Sequence, residues 1–124
     1  MSAPRILIVD DYAPAADALC RLLRINGHVV RTARDADEAM ATALEFLPDV
    51  VLLDINLGGT SDGFAVARWL RAQVALDRVL LIAITGRCDF ETKDRITAAG
   101  FDHFLVKPIP FADIEQIIPG ADMQ

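Results

Sequence analysis

The 124-residue sequence has few cysteines and no long apolar run, and each absence excludes a class of protein. Its two cysteines, Cys20 and Cys88, are too few for a disulfide framework and lack metal-ligand spacing, which indicates reduced thiols. The apolar run near the amino terminus, Ile6 to Val9, is shorter than a signal peptide requires, and no run approaches the length that spans a bilayer. We therefore expect a cytoplasmic protein that does not bind a membrane.

The sequence also lacks an excess of basic residues. It has 12 Lys and Arg against 18 Asp and Glu, which gives a formal net charge of −6. A surface that binds nucleic acid must replace condensed counterions with basic side chains, so this balance argues against direct nucleic-acid binding. With 53% hydrophobic residues and no linker or repeat, the chain is expected to form one domain over residues 1–124.

Five apolar segments with strand character alternate with segments of helical periodicity. The predicted strands cover 5–10, 28–33, 49–54, 79–85 and 102–107. Four of them are continuously apolar, which is typical of strands buried on both faces of a parallel sheet, whereas Arg31 and Thr32 mark the second as an edge strand. Strict alternation of strands and helices with right-handed crossovers predicts an α/β fold, a doubly wound (βα)5 sandwich around a five-stranded parallel sheet.

Local start and stop signals bound the predicted helices. Asp35 with Glu38 resembles a capping box, and Gly100 is a typical helix end. The first predicted helix runs from Pro14 to Asn26-Gly27 with Leu19, Leu22 and Leu23 on one face, and the second runs from Asp35 to Pro48. The third begins at a cap at Ser61 or Asp62 and continues through Phe64, Ala67 and Leu70. The fourth covers 90–99, and the fifth covers 111–118 and ends before Pro119-Gly120.

Polar residues follow the carboxyl ends of four predicted strands, where open parallel sheets bind ligands. They are Asp10-Asp11, Asp54, Thr85 and Lys107-Pro108. Three carboxylates in one crevice repel one another and stay ionised together only beside a cation. Hard oxygen ligands with no His or Cys among them select Mg²⁺, or Mn²⁺, over zinc. The two histidines, His28 and His103, are expected at the surface or at strand ends.

These residues indicate phosphoryl transfer with a carboxylate as the nucleophile. Mg²⁺ held by carboxylates keeps waters that phosphate oxygens can replace, while Lys107 supplies a second cation and Thr85 a hydroxyl donor. Asp54 is the best candidate nucleophile because it ends the most apolar run and precedes Gly58-Gly59.

In this order, the motifs resemble the receiver domain of two-component response regulators over essentially the whole chain. The matching residues are Asp10-Asp11, Asp54 at the end of Pro48-Asp-Val-Val-Leu-Leu-Asp54, Asp62-Gly63, Thr85-Gly86, Gly100, and Phe104-Leu-Val-Lys107-Pro108. The resemblance implies a flavodoxin-like fold with strand order 2-1-3-4-5, as in single-domain chemotaxis regulators.

The resemblance also implies the roles of the acidic residues. Asp54 would be the phosphoacceptor, taking a phosphoryl group from a sensor histidine kinase or a histidine phosphotransfer protein. Asp11, Asp54 and the carbonyl of Asn56 would contact Mg²⁺ directly, and Asp10 would act mainly through a bound water. Such a domain is not an enzyme toward other substrates, because it catalyses only its own phosphorylation and dephosphorylation.

The remaining implied roles concern the response to phosphorylation. Lys107 would pair with the phosphoryl oxygens, and the Lys107-Pro108 bond would be cis. Thr85 would move toward the aspartyl phosphate, and Phe104 would follow it inward and change the surface of the fourth helix, fifth strand and fifth helix. That surface would signal to a downstream protein target, since the sequence contains no output domain.

Two departures from the family and three alternatives stay open. The segment after Asp54 lacks the usual proline and has one residue more, and Phe104 stands where tyrosine or histidine often occurs. An aspartate-nucleophile phosphatase of the haloacid dehalogenase type would need Asp-x-Asp rather than adjacent acids. An FMN module would need a phosphate-binding loop where the acidic Asp11-Tyr12-Ala13-Pro14 stands. The third alternative is a degenerate receiver that acts as an unphosphorylated interaction module.

Overall fold

Strands and helices alternate along the chain in the computed structural model, which describes residues 3–55, 63–86 and 89–118. Within those residues the strands are β1 (Arg5–Val9), β2 (Val29–Ala33), β3 (Val50–Asp54), β4 (Leu80–Thr85) and β5 (His103–Val106). The helices are α1 (Ala13–Ile25), α2 (Ala36–Phe46), α3 (Gly63–Ala72), α4 (Phe90–Ala99) and α5 (Phe111–Ile117), with a short 3-10 helix at Val74–Leu76. The sequence reasoning did not predict the 3-10 helix.

The strands form one parallel sheet in the order β2-β1-β3-β4-β5. In its register Ile6 lies between Val30 and Val50, and Val50 lies beside Leu80. The predicted doubly wound sandwich and its flavodoxin-like strand order are therefore confirmed. β2 is an edge strand, as its polar residues predicted.

β5 corrects one prediction, because it is the other edge rather than a strand buried on both faces. Phe104 and Val106 are each 36% exposed. The segment is apolar as expected, but no strand among the described residues lies outside β5 in the sheet, and most of its side chains are exposed.

The core consists of two layers on opposite faces of the sheet, because successive strand side chains point to opposite sides. On one face, buried residues of β1, β3 and β4 pack against α2, α3 and α4. On the other face they pack against α1 and α5. Full burial of a Leu or Val side chain stabilises a fold by about 1.5–3 kcal/mol. These layers hold the carboxyl ends of β1, β3 and β4 in fixed positions.

The buried stripe of α1 differs from the predicted one. Ala16, Cys20 and Leu23 are buried, whereas Leu22 is 44% exposed and Leu19 is partly buried. Neighbouring helix positions point about 100° apart, so Leu22 and Leu23 cannot both face the core.

The cap of α2 resembles the predicted capping box with a one-residue shift. Asp35 Oδ1 accepts from the backbone N–H of Glu38 at 2.8 Å, and Glu38 Oε1 accepts from the N–H of Arg34 at 2.8 Å. The helix ends at Phe46, where Leu47 adopts a left-handed conformation with φ 50°, and not at Pro48. Leucine rarely takes this conformation, so sequence alone does not signal this end.

The other helix ends agree closely with the predictions. Gly100 ends α4 with φ 98°, and Asp89 caps its first turn by accepting from the N–H of Thr92 at 2.8 Å. α5 ends at Ile117, one residue before the predicted end. The predicted caps at 61–62 and the stop at 119–120 lie outside the described residues.

His28 lies directly before β2, which agrees with the predicted strand-end position, but it is buried and not at the surface. Its side chain is 1% exposed, and its Nε2 lies 3.4 Å from Oε2 of Glu115 on α5. This contact joins the residue before β2 to α5, which sequence spacing does not reveal. His103 is exposed at the start of β5, as predicted. No helix among the described residues is long and apolar enough to cross a membrane.

Candidate functional site

The polar residues predicted at the strand ends lie together at one edge of the sheet. Asp10 and Asp11 follow β1, Asp54 ends β3, and each offers one carboxylate oxygen within 4.8 Å of the other two. Parallel pairing with fixed register brings them together, because Val9 lies beside Leu53 and Asp54 lies beside Ile84.

Asp54 is the most buried of the three acids, and its side chain is 5% exposed. The ammonium of Lys107, which follows β5, donates to Asp54 Oδ2 at 2.8 Å. The backbone N–H of Lys107 donates to the carbonyl of Thr85 at 2.8 Å, which holds the lysine at this edge. The hydrogen bond with Asp54 raises the pKa of Lys107 above its ordinary value, and burial opposes this less strongly. The lysine is therefore charged at neutral pH.

The pKa of the Asp10 carboxyl group is raised at its position beside the other acids. Burial is the main cause that raises its pKa above the ordinary value, and the charges of Asp54 and Asp11 raise it further. A backbone bond from Tyr12 N–H to Asp10 Oδ1 at 2.9 Å and the charge of Lys107 lower it. The pKa of Asp10 is raised overall because burial and the neighbouring carboxylates outweigh the Tyr12 hydrogen bond and the charge of Lys107.

This donor set fits a hard divalent cation. The carboxylates of Asp10, Asp11 and Asp54 are oxygen ligands close enough to share one ion, and Asp11 is exposed to solvent. Small hard cations such as Mg²⁺ prefer such ligands and keep several waters. Asn56, the fourth predicted metal contact, lies outside the described residues, as do Gly58-Gly59 and Asp62.

Thr85 lies on β4, the strand next to that of Asp54, and Phe104 lies one strand further out, on β5. Thr85 ends β4, is 1% exposed and pairs with Val106 in the sheet. Phe104 is 36% exposed, so its ring has not moved into the interior. The Lys107-Pro108 bond is cis, as the resemblance implied.

Lys93 on α4 is a contact that the sequence reasoning missed. Its Nζ lies 5.8 Å from the ring centroid of Phe104 and 5.9 Å from that of Phe90. The spacing of Phe90 and Lys93, three positions apart on one helix, indicates their contact. Nothing in the sequence places Phe104 of β5 beside them.

An apolar groove of about 640 Å³ begins at Asp10 and Lys107 and runs between α1 and α5. Its walls include Ala15, Ala18 and Leu22, which share one face of α1 at helical spacing, together with Leu19, Ile109 and Phe111. Leu22, whose exposure the sequence did not predict, lines this groove.

Comparison with known proteins agrees with the geometry. The family model described as "Response regulator receiver domain" matches residues 6–119. The chain is 37% identical over 114 residues to the transcriptional regulatory protein PrrA of Mycobacterium leprae, covering 92% of this chain and 48% of that protein. It is 34% identical over 111 residues to the two-component response regulator PhoP of Pseudomonas aeruginosa, covering 90% of this chain and 48% of that protein.

Among solved structures, the chemotaxis response regulator CheY4 of Vibrio cholerae superposes with a TM-score of 0.87 at 26% identity, covering 94% of this chain and 100% of that chain. The chain spans about half the length of the curated relatives named above. With its fold, its clustered acids and the family match over residues 6–119, the chain belongs to the receiver domains of two-component response regulators.

Proposed function

We propose that the chain accepts a phosphoryl group on Asp54 from a phosphohistidine of a sensor histidine kinase or histidine phosphotransfer protein. The observation that carries the proposal is the buried Asp54 carboxylate, 2.8 Å from the Lys107 ammonium and beside two further acids. A buried carboxylate with a fixed cation on one oxygen is oriented for attack through the other.

The transfer forms one bond and breaks one. A carboxylate oxygen of Asp54 attacks the phosphorus, and the P–O bond forms as the donor's P–N bond breaks. The electron pair of the broken bond goes to the imidazole nitrogen of the donor, which takes up a proton. Charge spreads over the three remaining phosphoryl oxygens in the transition state, so catalysis consists mainly of positioning and electrostatic stabilisation.

The chain's own residues supply that stabilisation. Lys107, now paired with Asp54, would turn its ammonium to a phosphoryl oxygen, which is a charge-assisted contact. Thr85 would donate its hydroxyl to another oxygen. Asp10, Asp11 and Asp54 would hold Mg²⁺ or Mn²⁺, which when bound would neutralise charge on the phosphoryl group.

The phosphodonor would approach along the apolar groove between α1 and α5. The groove opens at Asp10 and Lys107, so a helix lying in it would carry its histidine to Asp54. The apolar residues of α1 repeat at helical spacing, which suits contact with a partner helix. We also propose that the protein is cytoplasmic, because it belongs to the receiver domains of two-component response regulators.

Phosphorylation would then act through Thr85 and Phe104 on a downstream protein target. Phe104 is 36% exposed, and its movement inward would change the surface of α4, β5 and α5. Of the proteins named above, PrrA is a transcriptional regulatory protein and CheY4 is a chemotaxis response regulator. For this chain we propose a protein target rather than nucleic acid, because its formal net charge is −6.

Phosphorylation by a small donor tests the proposal. The wild type is incubated with phosphoramidate and Mg²⁺, and intact mass is measured with and without a chelator. We expect one added phosphoryl group that requires the cation and is lost in Asp54→Asn. Asp94→Asn, a change at an exposed aspartate of α4, is the matched control and should be phosphorylated normally.

Two results would contradict the proposal. A wild type that never takes up phosphate would indicate a degenerate receiver. Continuous hydrolysis of many donor molecules without an aspartyl phosphate that can be trapped would indicate a phosphatase.

A further inference from the structure

Gly63, the first residue of α3, lies against the backbone that carries Asp54. A Cβ atom built on Gly63 would be 2.5 Å from Cα of Ile55 and 2.8 Å from the carbonyl oxygen of Asp54. Carbon atoms in favourable contact are about 3.5–4.0 Å apart, so this position has no room for a side chain. The obstructing atoms are backbone, which no rotamer change can move.

The end of β3 is held from two sides at this point. The N–H of Ile55 donates to the carbonyl of Ile84 in β4 at 3.1 Å, and the N–H of Gly63 donates to the carbonyl of Ile55 at 3.2 Å. α3 is itself anchored, because Phe64, Val66 and its other core residues are buried. The Asp54 backbone is therefore clamped between β4 and the start of α3.

We infer that Gly63 is a positioning residue for the phosphoacceptor: its missing side chain lets α3 press the end of β3 into the place where the Asp54 carboxylate meets Lys107, Asp10 and Asp11. This inference rests on the proposed function and names a further residue on which the reaction depends. A methyl group at position 63 would force α3 and β3 apart by about 1 Å. A misplacement of that size can slow a reaction about 100-fold.

Displacement of β3 should affect catalysis and metal binding unequally. Asp10 and Asp11 follow β1, whereas the three atoms nearest to a Cβ at Gly63 all belong to Asp54 and Ile55, so we expect Asp10 and Asp11 to stay in place. Gly63→Ala should therefore weaken Mg²⁺ binding only several-fold, while the phosphorylation rate at saturating Mg²⁺ falls about 10–100-fold. A glycine with a merely structural role would lower the melting temperature without this split.

The chain offers two matched controls among its glycines. Gly86 follows Thr85 at the same edge of the sheet, but a Cβ there would meet nothing within 4 Å. Gly100 ends α4 with φ +98°, where any side chain is strained, away from the acids. Gly86→Ala shows whether an added methyl group near the site slows phosphorylation without a steric clash. Gly100→Ala shows whether a loss of stability alone slows it.

The experiment measures three quantities for the wild type and the three alanine variants. They are the melting temperature, Mg²⁺ affinity by calorimetry, and the rate of phosphorylation by phosphoramidate at saturating Mg²⁺. We expect Gly63→Ala to be phosphorylated at least tenfold more slowly than both controls, which should remain within twofold of the wild type. A smaller difference between Gly63→Ala and the controls overturns the inference.

Amide hydrogen exchange of the wild type decides the matter if Gly63→Ala does not fold. Mg²⁺ should slow exchange at both Ile55 and Gly63, beyond any change at Phe101, whose N–H bonds to Ile96 at the far end of α4. Slowing at Ile55 without slowing at Gly63 overturns the inference. A wild type that is not phosphorylated refutes the proposed function instead, and this exchange measurement still tests the contact.

Discussion

Removal of the Lys107 charge should destabilise the metal-free protein, and Mg²⁺ should restore much of the loss. Lys107→Met keeps a long unbranched side chain but deletes the ammonium that donates to Asp54 Oδ2 at 2.8 Å. The carboxylate concerned is 5% exposed, and two other acids lie within 4.8 Å of it. The variant therefore leaves the acidic cluster without its lysine cation.

The size of the effect follows from the geometry. A hydrogen bond between charged groups contributes about 1.5–3 kcal/mol to stability. The Lys107 side chain is 46% exposed, so solvent screening reduces its contribution to about 1–2 kcal/mol. For a domain of 124 residues this corresponds to a fall in melting temperature of about 4–8 °C. Mg²⁺ binds the folded state only and should bind the more negative variant more tightly, so the deficit should shrink by about half or more.

Thermal unfolding in a chelator and in saturating Mg²⁺ measures both quantities. Lys93→Met is the matched control, because Lys93 is the only other lysine in the sequence and lies on α4 away from the acids. Cation–π contacts of Lys93 with two aromatic rings contribute about 0.5–1 kcal/mol to stability. The stability that Lys93→Met loses should be the same with and without Mg²⁺. A metal-free Lys107→Met as stable as the wild type, or a deficit that Mg²⁺ leaves unchanged, would refute the reasoning.

Three further predictions concern the site and its supports. The pKa of Asp10 is raised in the folded state, so the folded protein binds that proton more tightly than the unfolded chain does. Metal-free stability should therefore fall as the pH rises from 3.8 through the raised pKa, and urea titrations should show this decline flattened in Asp10→Asn. Thr85→Ala should still accept phosphate but lose the change in chemical shifts at Phe104 on phosphorylation; full-sized shifts would show that Thr85 does not couple the two. Gly100→Ala should lower the free energy of unfolding by about 1–2 kcal/mol, because φ is +98° and a Cβ would lie 3.0 Å from Cγ of Arg71; an unchanged urea midpoint would contradict this.

Much of the fold could be predicted because its signals are local. Continuous apolar runs indicated buried parallel strands, and Asp35 and Gly100 lie at the helix ends where the sequence predicted them. The errors arose where burial depends on distant elements. Leu22 and the fifth strand were expected to be buried, and a surface position was one of two expectations for His28. The structure differs because the packing of α1, α5 and the sheet edge decides what covers each of them.

The sequence by itself determined the chemistry of the site. Residue types at strand ends, and the rule that parallel strands end at the same edge, sufficed to bring Asp10, Asp11, Asp54 and Lys107 together. Only the tertiary structure decided how these groups interact. It made Asp54 the most buried acid, brought the Lys107 ammonium to 2.8 Å from it, and placed Gly63 against its backbone, because distance and burial depend on contacts between segments far apart in the chain.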